Sequence, residues 1–283
     1  MDQPKIALVT DSAASLDEAQ RRAYDIRVVP LRVIYRQGEY RDGVDITPDQ
    51  VYARMRSEIP TTSLPLPGDV VALYTELAAA GYTHIIHICI SSGLSGTYNM
   101  VRAVAAEFPH LTIEVVDSRI LSIAQGVLAL SCGKLLAEGA SFAEAVAHVY
   151  TVRKGMLGMF VLRTLEYLRK GGRIGLVEGV MGTVLQLKPI IFVNDDGVYE
   201  TLAKARGFGN ALDTLLQAAK KRFADKLVRV AVVYGDRADE AQALLERAHQ
   251  TLNTLEGFIS QVSPVLGVHT GPSLLGLIVY DAL

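Results

Sequence analysis

Residues 85–90, IIHICI, are a short apolar run that stops abruptly at SSGLSGTYN, residues 91–99, and residues 98–108 then carry apolar side chains at helical spacing. A buried strand that passes through a small-residue loop into a helix is the repeating unit of an α/β fold. The loop crowds hydroxyls at a helix start, where four backbone N–H groups lack intrahelical partners and the helix dipole is positive. Gly93 and Gly96 let the backbone come close to another group, and Ser92, Ser95 and Thr97 add hydroxyl donors. Such a site can hold a carboxylate or a phosphate. Serine and threonine are also ordinary helix caps, so the local pattern fits a plain capped helix equally well.

The flanking chain repeats the unit. Residues 5–10 read as a buried strand ending in Asp11 and Ser12, polar residues at the strand end where open α/β sheets place ligands. Ser15 and Glu18 predict a capping box for a short helix ending near Tyr24, and residues 26–35 read as one extended run. After a glycine turn at residues 40–46, Thr47, Pro48 and Gln50 supply a cap, a first-turn proline and a capping-box partner. PTTSLPLP, residues 60–67, holds three prolines and predicts a stiff loop presenting Thr61, Thr62 and Ser63. A helix over 69–80 stopped by Gly81 returns the chain to the opening motif. Beyond that motif come a strand at 112–116, the polar turn of Asp117 and Ser118, a long helix of small residues near 121–137, and a helix capped by Ser141 with Glu144.

From about residue 155 strands become adjacent. Residues 157–162 are extended, 164–170 a short helix, and GGRIG at 171–175 a flexible basic turn. Two runs, 188–193 and 198–204, flank Asn-Asp-Asp-Gly, a hairpin signal. Helices at 209–223 and 238–252 and strands at 228–234, 258–263 and 274–280 complete the pattern. The expected fold is therefore α/β in two domains: residues 1–155 with a mostly parallel sheet and helices on both faces, and residues 156–283 with a mixed sheet and helices.

Composition narrows the function classes. The chain has 283 residues, 28 Lys plus Arg against 30 Asp plus Glu, so no basic footprint points to nucleic acid and no polybasic stretch to a membrane surface. No apolar run reaches the roughly 18 residues of a membrane span, and MDQPKIALVTDS does not read as a signal segment. A cytoplasmic protein without stable membrane insertion is expected. Cys89 and Cys132 sit far apart inside apolar segments and read as buried thiols in a reducing compartment.

Specific chemistries fit unevenly. Gly93, Leu94 and Ser95 begin a GxSxG elbow, but position 97 is threonine and the glycine stands at 96, which weakens Ser95 as a nucleophile. His269 with Asp281 or Asp117 are the partners a serine hydrolase or acyltransferase would use. No GxxxxGK[ST] loop is present, and GFG at 207–209 lacks a third glycine. His84 and His87, three apart on a strand, face opposite sides and do not share a metal ion. His269 lies in GVHTGPS, read as a glycine-flanked turn. Two basic groups, Arg169, Lys170 and Arg173 on one turn and Lys204 and Arg206 after a strand, can face an anion. A small-anion sensor built on the helix terminus is a further reading.

Eight segments in this order resemble the DegV family: TDS at 10–12, DGVDI at 42–46, TSLPLP at 62–67, SSGLSGTY at 91–98, VDS at 116–118, LEYLRKGGRIG at 165–175, KPI at 188–190 and HTGP at 269–272. The resemblance implies a two-domain α/β fold that encloses a long-chain fatty acid near the domain interface. It further implies a fatty-acid-binding subunit of a bacterial fatty acid kinase, whose separate ATP-using subunit phosphorylates the bound acid to an acyl phosphate. The chain itself would then have no catalytic residue and need no cofactor or metal beyond the bound acid. Carried over position by position, Thr62 and Ser95 hold the carboxylate, with Ser63 and Ser92 beside them and His269 orienting the head group. Arg173 and Arg206 meet added phosphate charge or the kinase subunit. Leu64 and Leu66 replace the family's usual glutamine and serine, Ser273 replaces a glycine of HTGPG, and Ala124 replaces a glycine after VDS.

Overall fold

The computed structural model describes residues 4–180 and 186–282; the opening residues of the expected first domain and Leu283 of the second lie outside that description. Three sheets organise the chain. In the first, β1 (Ile6–Asp11), β2 (Arg27–Val29), β6 (His84–Cys89) and β7 (Thr112–Asp117) run parallel in the order β2-β1-β6-β7. A small antiparallel sheet, β4-β3-β5, combines β3 (Arg32–Tyr35), β4 (Gly38–Arg41) and β5 (Thr61–Ser63). The third is mixed, in the order β10-β9-β8-β13-β11-β12: β8 (Met156–Val161), β9 (Leu187–Val193), β10 (Tyr199–Arg206), β11 (Val228–Tyr234), β12 (Thr254–Gln261) and β13 (Leu275–Asp281). Among the described residues, only β11 and β12 pair in parallel there.

Helices cover the sheets on their outer faces and pack between them. They are α1 (Glu18–Ala23), α2 (Pro48–Arg54), α3 (Pro67–Ala79), α4 (Thr97–Ala105), α5 (Ser122–Ala137), α6 (Phe142–Lys154), α7 (Glu166–Lys170), α8 (Phe208–Phe223), α9 (Ala238–Thr251) and α10 (Pro264–Thr270). Strand pleating sorts side chains onto two faces. Ala7, Val9, Ile85 and Cys89 pack on α3 and α4, whereas Leu8, Ile86 and Ile88 face the interior with α5. On the third sheet, Val230, Val232, Leu277 and Val279 pack under α8 and α9, while Ala231, Val233 and Ile278 turn inward to the same interior. The two inner faces thus share one continuous core. α5 runs through it, touching β1 and β6 on one side and β11 on the other. Its apolar residues lie all round the helix, and Ile123–Ala129 are buried without interruption. Each fully buried Leu or Ile there contributes about 1.5–3 kcal/mol.

Several local expectations hold: Thr47 with Gln50 and Ser141 with Glu144 both form capping boxes, Pro48 opens α2, and the hairpin pairs Val193 with Tyr199. Both cysteines are buried and free. Four are corrected. Ser15 does not cap α1, because it sits in the left-handed region at φ 52; Asp17 and Gln20 form the box instead. Residues 26–35 are not one run: Pro30, with no N–H to give, separates β2 from β3, which belong to different sheets. The proline loop contains a strand, β5, whose three residues pair antiparallel with β3. The glycine-flanked turn around His269 is a helix, α10, which starts at Pro264 and packs on α2 and α7.

Candidate ligand-binding site

Four separate elements converge on one pocket. β5 brings Thr62 and Ser63, the loop before α4 brings Ser95, the turn after α7 brings Arg173, and the last turn of α10 brings His269. Together they line one cavity. A second cavity lies between the start of α5 and the inner face of the third sheet, with Ala124, Met156, Gly158, Phe160 and Ile278 among its walls. Leu121, Tyr199 and Leu266 line both. A polar compartment and an apolar one therefore meet across three shared side chains.

His269 is the most constrained member. Its Nε2 lies 2.7 Å from Thr62 Oγ1, and its Nδ1 is buried without a hydrogen-bond partner. A Cβ at Gly171 would overlap that Nδ1, so only glycine lets the turn come this close to the ring. Burial, with the Arg173 charge adding to it, lowers the His269 pKa to about 4, which leaves the ring neutral at neutral pH. An unpaired N–H is the costlier orphan, so the proton belongs on Nε2, donated to Thr62 Oγ1. Thr62 then keeps its own hydroxyl proton free to donate into the pocket.

Ser95 plays two parts. Its Oγ accepts from the Thr97 N–H at 3.3 Å and lies 2.9 Å from Thr97 Oγ1, which binds it to the first turn of α4. It also lines the pocket, beside a helix terminus whose backbone favours negative charge. The rest of the SSGLSGTYN loop is committed elsewhere. Ser91 Oγ donates to Gly197 O at 2.7 Å, and a Cβ at Gly93 would stand 2.6 Å from the same oxygen, so the loop is clamped to the β9–β10 hairpin. Ser92 donates from both N (3.0 Å) and Oγ (2.5 Å) to Asp117, which also pairs with Arg119.

The structure thus gathers Thr62, Ser63, Ser95, His269 and Arg173, and leaves two expected residues out. Ser92 faces Asp117 instead of the pocket, and Arg206 is exposed at the end of β10. Among the described residues, the hydrogen bonds of Ser95 Oγ go to Thr97 and not to a histidine or carboxylate. His87 is a core histidine, with Nδ1 2.8 Å from the Tyr74 hydroxyl. Leu121 and Tyr199, which join the two compartments, carry no sequence signal beyond being apolar or aromatic. Asp11 and Asp42, both buried, stand in two of the eight resemblance segments, and Asp11 was legible as a polar residue at a strand end.

Comparison with known proteins agrees with this geometry. The model of the family described as "Uncharacterised protein, DegV family" matches residues 5–282. A DegV domain-containing protein of Clostridium acetobutylicum is 40% identical over 98% of this chain and 99% of its own length. Among solved structures, a DegV family protein from Thermus thermophilus described for its fatty acid binding superposes with a TM-score of 0.91 at 34% identity, covering 98% of this chain and 99% of that one. A stearic acid-binding protein from Eubacterium ventriosum gives 0.87 at 29% identity, covering 99% and 98%. With its fold, its eight segments and its full-length match in agreement, the chain belongs to the DegV family.

Proposed function

We propose that this chain binds a long-chain fatty acid, with the tail in the apolar cavity and the carboxylate in the polar pocket, and presents that carboxylate to a separate ATP-using fatty acid kinase subunit for conversion to an acyl phosphate. The observation that carries the reading is the shared wall of Leu121, Tyr199 and Leu266, which sets the apolar cavity directly beside the polar one. The fatty-acid-binding relatives support the ligand class. Burying a tail at roughly 0.8 kcal/mol per CH₂ supplies the drive. The carboxylate is the costly part to bury, and Thr62, Ser95, Ser63 and the helix terminus supply donors for it. His269 fixes the direction of the Thr62 hydroxyl. Arg173, which is exposed and lines the pocket, meets in this reading the charge added when phosphate joins the carboxylate. Residues 1–155 and 156–283 act in this reading as two domains of a cytoplasmic carrier, and the phosphoryl-transfer residues belong to the partner.

Native mass spectrometry of the gently purified chain tests the ligand. A co-purifying species with the mass of a long-chain acid is expected; a chain that arrives empty and takes up no fatty acid refutes the reading. The kinase arm is tested in a reconstituted reaction, where Arg173→Ala should slow acyl phosphate formation more than it weakens binding. A serine hydrolase built on Ser95 predicts ester turnover by the isolated chain, and the bonding of Ser95 Oγ to Thr97 argues against it.

A further inference from the structure

One tyrosine stands where the two cavities meet, and the reading above uses it only as a wall. Tyr199 opens β10 opposite Val193 and lines both the polar pocket and the apolar cavity. Its backbone is held by its neighbours. Asn194 Oδ1 accepts from Val198 N at 3.1 Å, which fixes the turn before it, and Ser91 Oγ ties Gly197 O to the loop that carries Ser95. A Cβ at Gly175 would stand 2.9 Å from Tyr199 O, so the turn that carries Arg173 lies directly against it. The ring meets Phe160, a wall of the apolar cavity, edge to face with centroids 5.2 Å apart. The hydroxyl has no hydrogen-bond partner among the described residues, although the residue is only 3% exposed. The Tyr35 and Tyr52 hydroxyls also lack partners but are sealed in the core, whereas that of Tyr199 is not sealed and belongs to a side chain that lines two cavities.

We propose that the Tyr199 hydroxyl is a further head-group donor, which hydrogen-bonds a carboxylate oxygen of the bound fatty acid where its tail enters the apolar cavity. This deepens the fatty-acid reading and rests on it. A buried phenolic O–H ordinarily finds an acceptor, and leaving it without one costs free energy. A carboxylate brings acceptors only, and its two oxygens offer about four acceptor sites, enough for Thr62, Ser63, Ser95 and Tyr199 together. Burial raises the pKa of the phenol and the Arg173 charge lowers it by less, so the hydroxyl keeps its proton at neutral pH and remains a donor. Thr62 and Ser95 reach the pocket from the first part of the chain and Tyr199 from the last, so the carboxylate is gripped from both at once. The clamp between Ser91 and Gly197 fixes the distance between these two sides. A neutral head group such as an alcohol takes a weaker bond from the same donor. Tyr199 thereby helps to select the acid over the alcohol of equal chain length.

The test is Tyr199→Phe in the full chain, which removes the hydroxyl and keeps the ring, measured by titration with hexadecanoate, dodecanoate and hexadecan-1-ol. Hexadecanoate affinity should fall about 10–100-fold, the loss of one hydrogen bond to a charged acceptor. Dodecanoate should fall by the same factor, because the lost contact is at the head group. Hexadecan-1-ol, a neutral acceptor, should lose several-fold less. Unchanged hexadecanoate affinity overturns the proposal, as do equal losses for the acid and the alcohol, which would mean that the phenol shapes the path of the tail. Melting of the ligand-free variant is a second readout. No bond is broken in the empty chain, so Tyr199→Phe should melt at or above the natural chain; a lower melting temperature would reveal an internal partner for the hydroxyl and overturn the assignment. Hexadecanoate at a fixed excess should raise the melting temperature of the natural chain more than that of the variant. If the natural chain binds neither acid, the fatty-acid reading fails and this assignment fails with it; if chain and variant bind hexadecanoate equally, the assignment alone fails.

Discussion

The two compartments differ in the side chains that line them. The apolar one is walled by the start of α5, by α10 and by strands β8, β9, β10, β11 and β13 of the third sheet, and most of its side chains are aliphatic or aromatic. The polar one is assembled from four distant stretches, each delivering one or two side chains whose directions are fixed by neighbours that never touch a ligand. In the fatty-acid reading, affinity resides in the first and orientation in the second. Size and chemistry of a ligand are therefore read by different parts of the chain, and each can be altered separately.

The largest expected effect comes from filling the apolar arm. A Cβ at Gly158 would have Ile278 and Ala124 as its nearest neighbours, at 3.8 and 3.9 Å, so a larger side chain there projects into the cavity without disturbing backbone. Gly158→Phe should weaken hexadecanoate about a thousandfold by denying burial to about five methylenes at roughly 0.8 kcal/mol each. Octanoate should lose much less, and equal losses in calorimetric titrations of the two acids would place the tail elsewhere. Next come Thr62→Ala and Ser95→Ala, each costing about 1–3 kcal/mol of binding through a carboxylate oxygen left short of a donor. That loss should be the same for both chain lengths; a loss that grows with length would mean these hydroxyls shape the tail arm.

A third contrast sets the pocket histidine against the core one. Burial lowers His269 to about 4 and His87 to about 3, below the ordinary value near 6.5, so both are neutral when folded and protonated more readily when unfolded. Stability from keeping them neutral is present above about pH 6.5 and lost as pH falls through their lowered folded values. His269→Gln should flatten the acid limb of a denaturation profile and also weaken hexadecanoate, whereas a variant at His87 should alter only the profile. Smallest of all, Ser92→Ala and Arg206→Ala should leave hexadecanoate affinity within about twofold, because neither residue lines the pocket. A larger change at Ser92 would reassign the Asp117 contact to the ligand site.

What could be read from the chain in advance follows the range of the forces involved. Capping boxes at Thr47 and Ser141, the hairpin, and the strand-loop-helix unit around Ser95 depend on residues a few positions apart, and they were legible. α10 was not, because three glycines and prolines in GVHTGPS read as a turn until packing on α2 and α7 supplies the reason for a helix. Ser92 and Ser95 look alike in sequence. Only Asp117, folded beside one and not the other, separates a structural serine from a pocket serine. The resemblance segments found the polar wall; the shared wall of Leu121, Tyr199 and Leu266 depends on contacts between residues up to 145 apart, which no local pattern encodes.

The helix α10 has a consequence for how such a protein can diversify. It belongs to the last part of the chain yet lies among α2, β3 and β5 from the first, and α5 from the first part lies against β11 of the last. A fragment cut near residue 155 would carry away Thr62 and Ser95 but leave their histidine behind, with raw apolar surface on both pieces. Recombination of halves between relatives is thereby disfavoured. New tail preferences are reached most cheaply by single exchanges in the apolar arm, at positions such as Ala124 and Gly158.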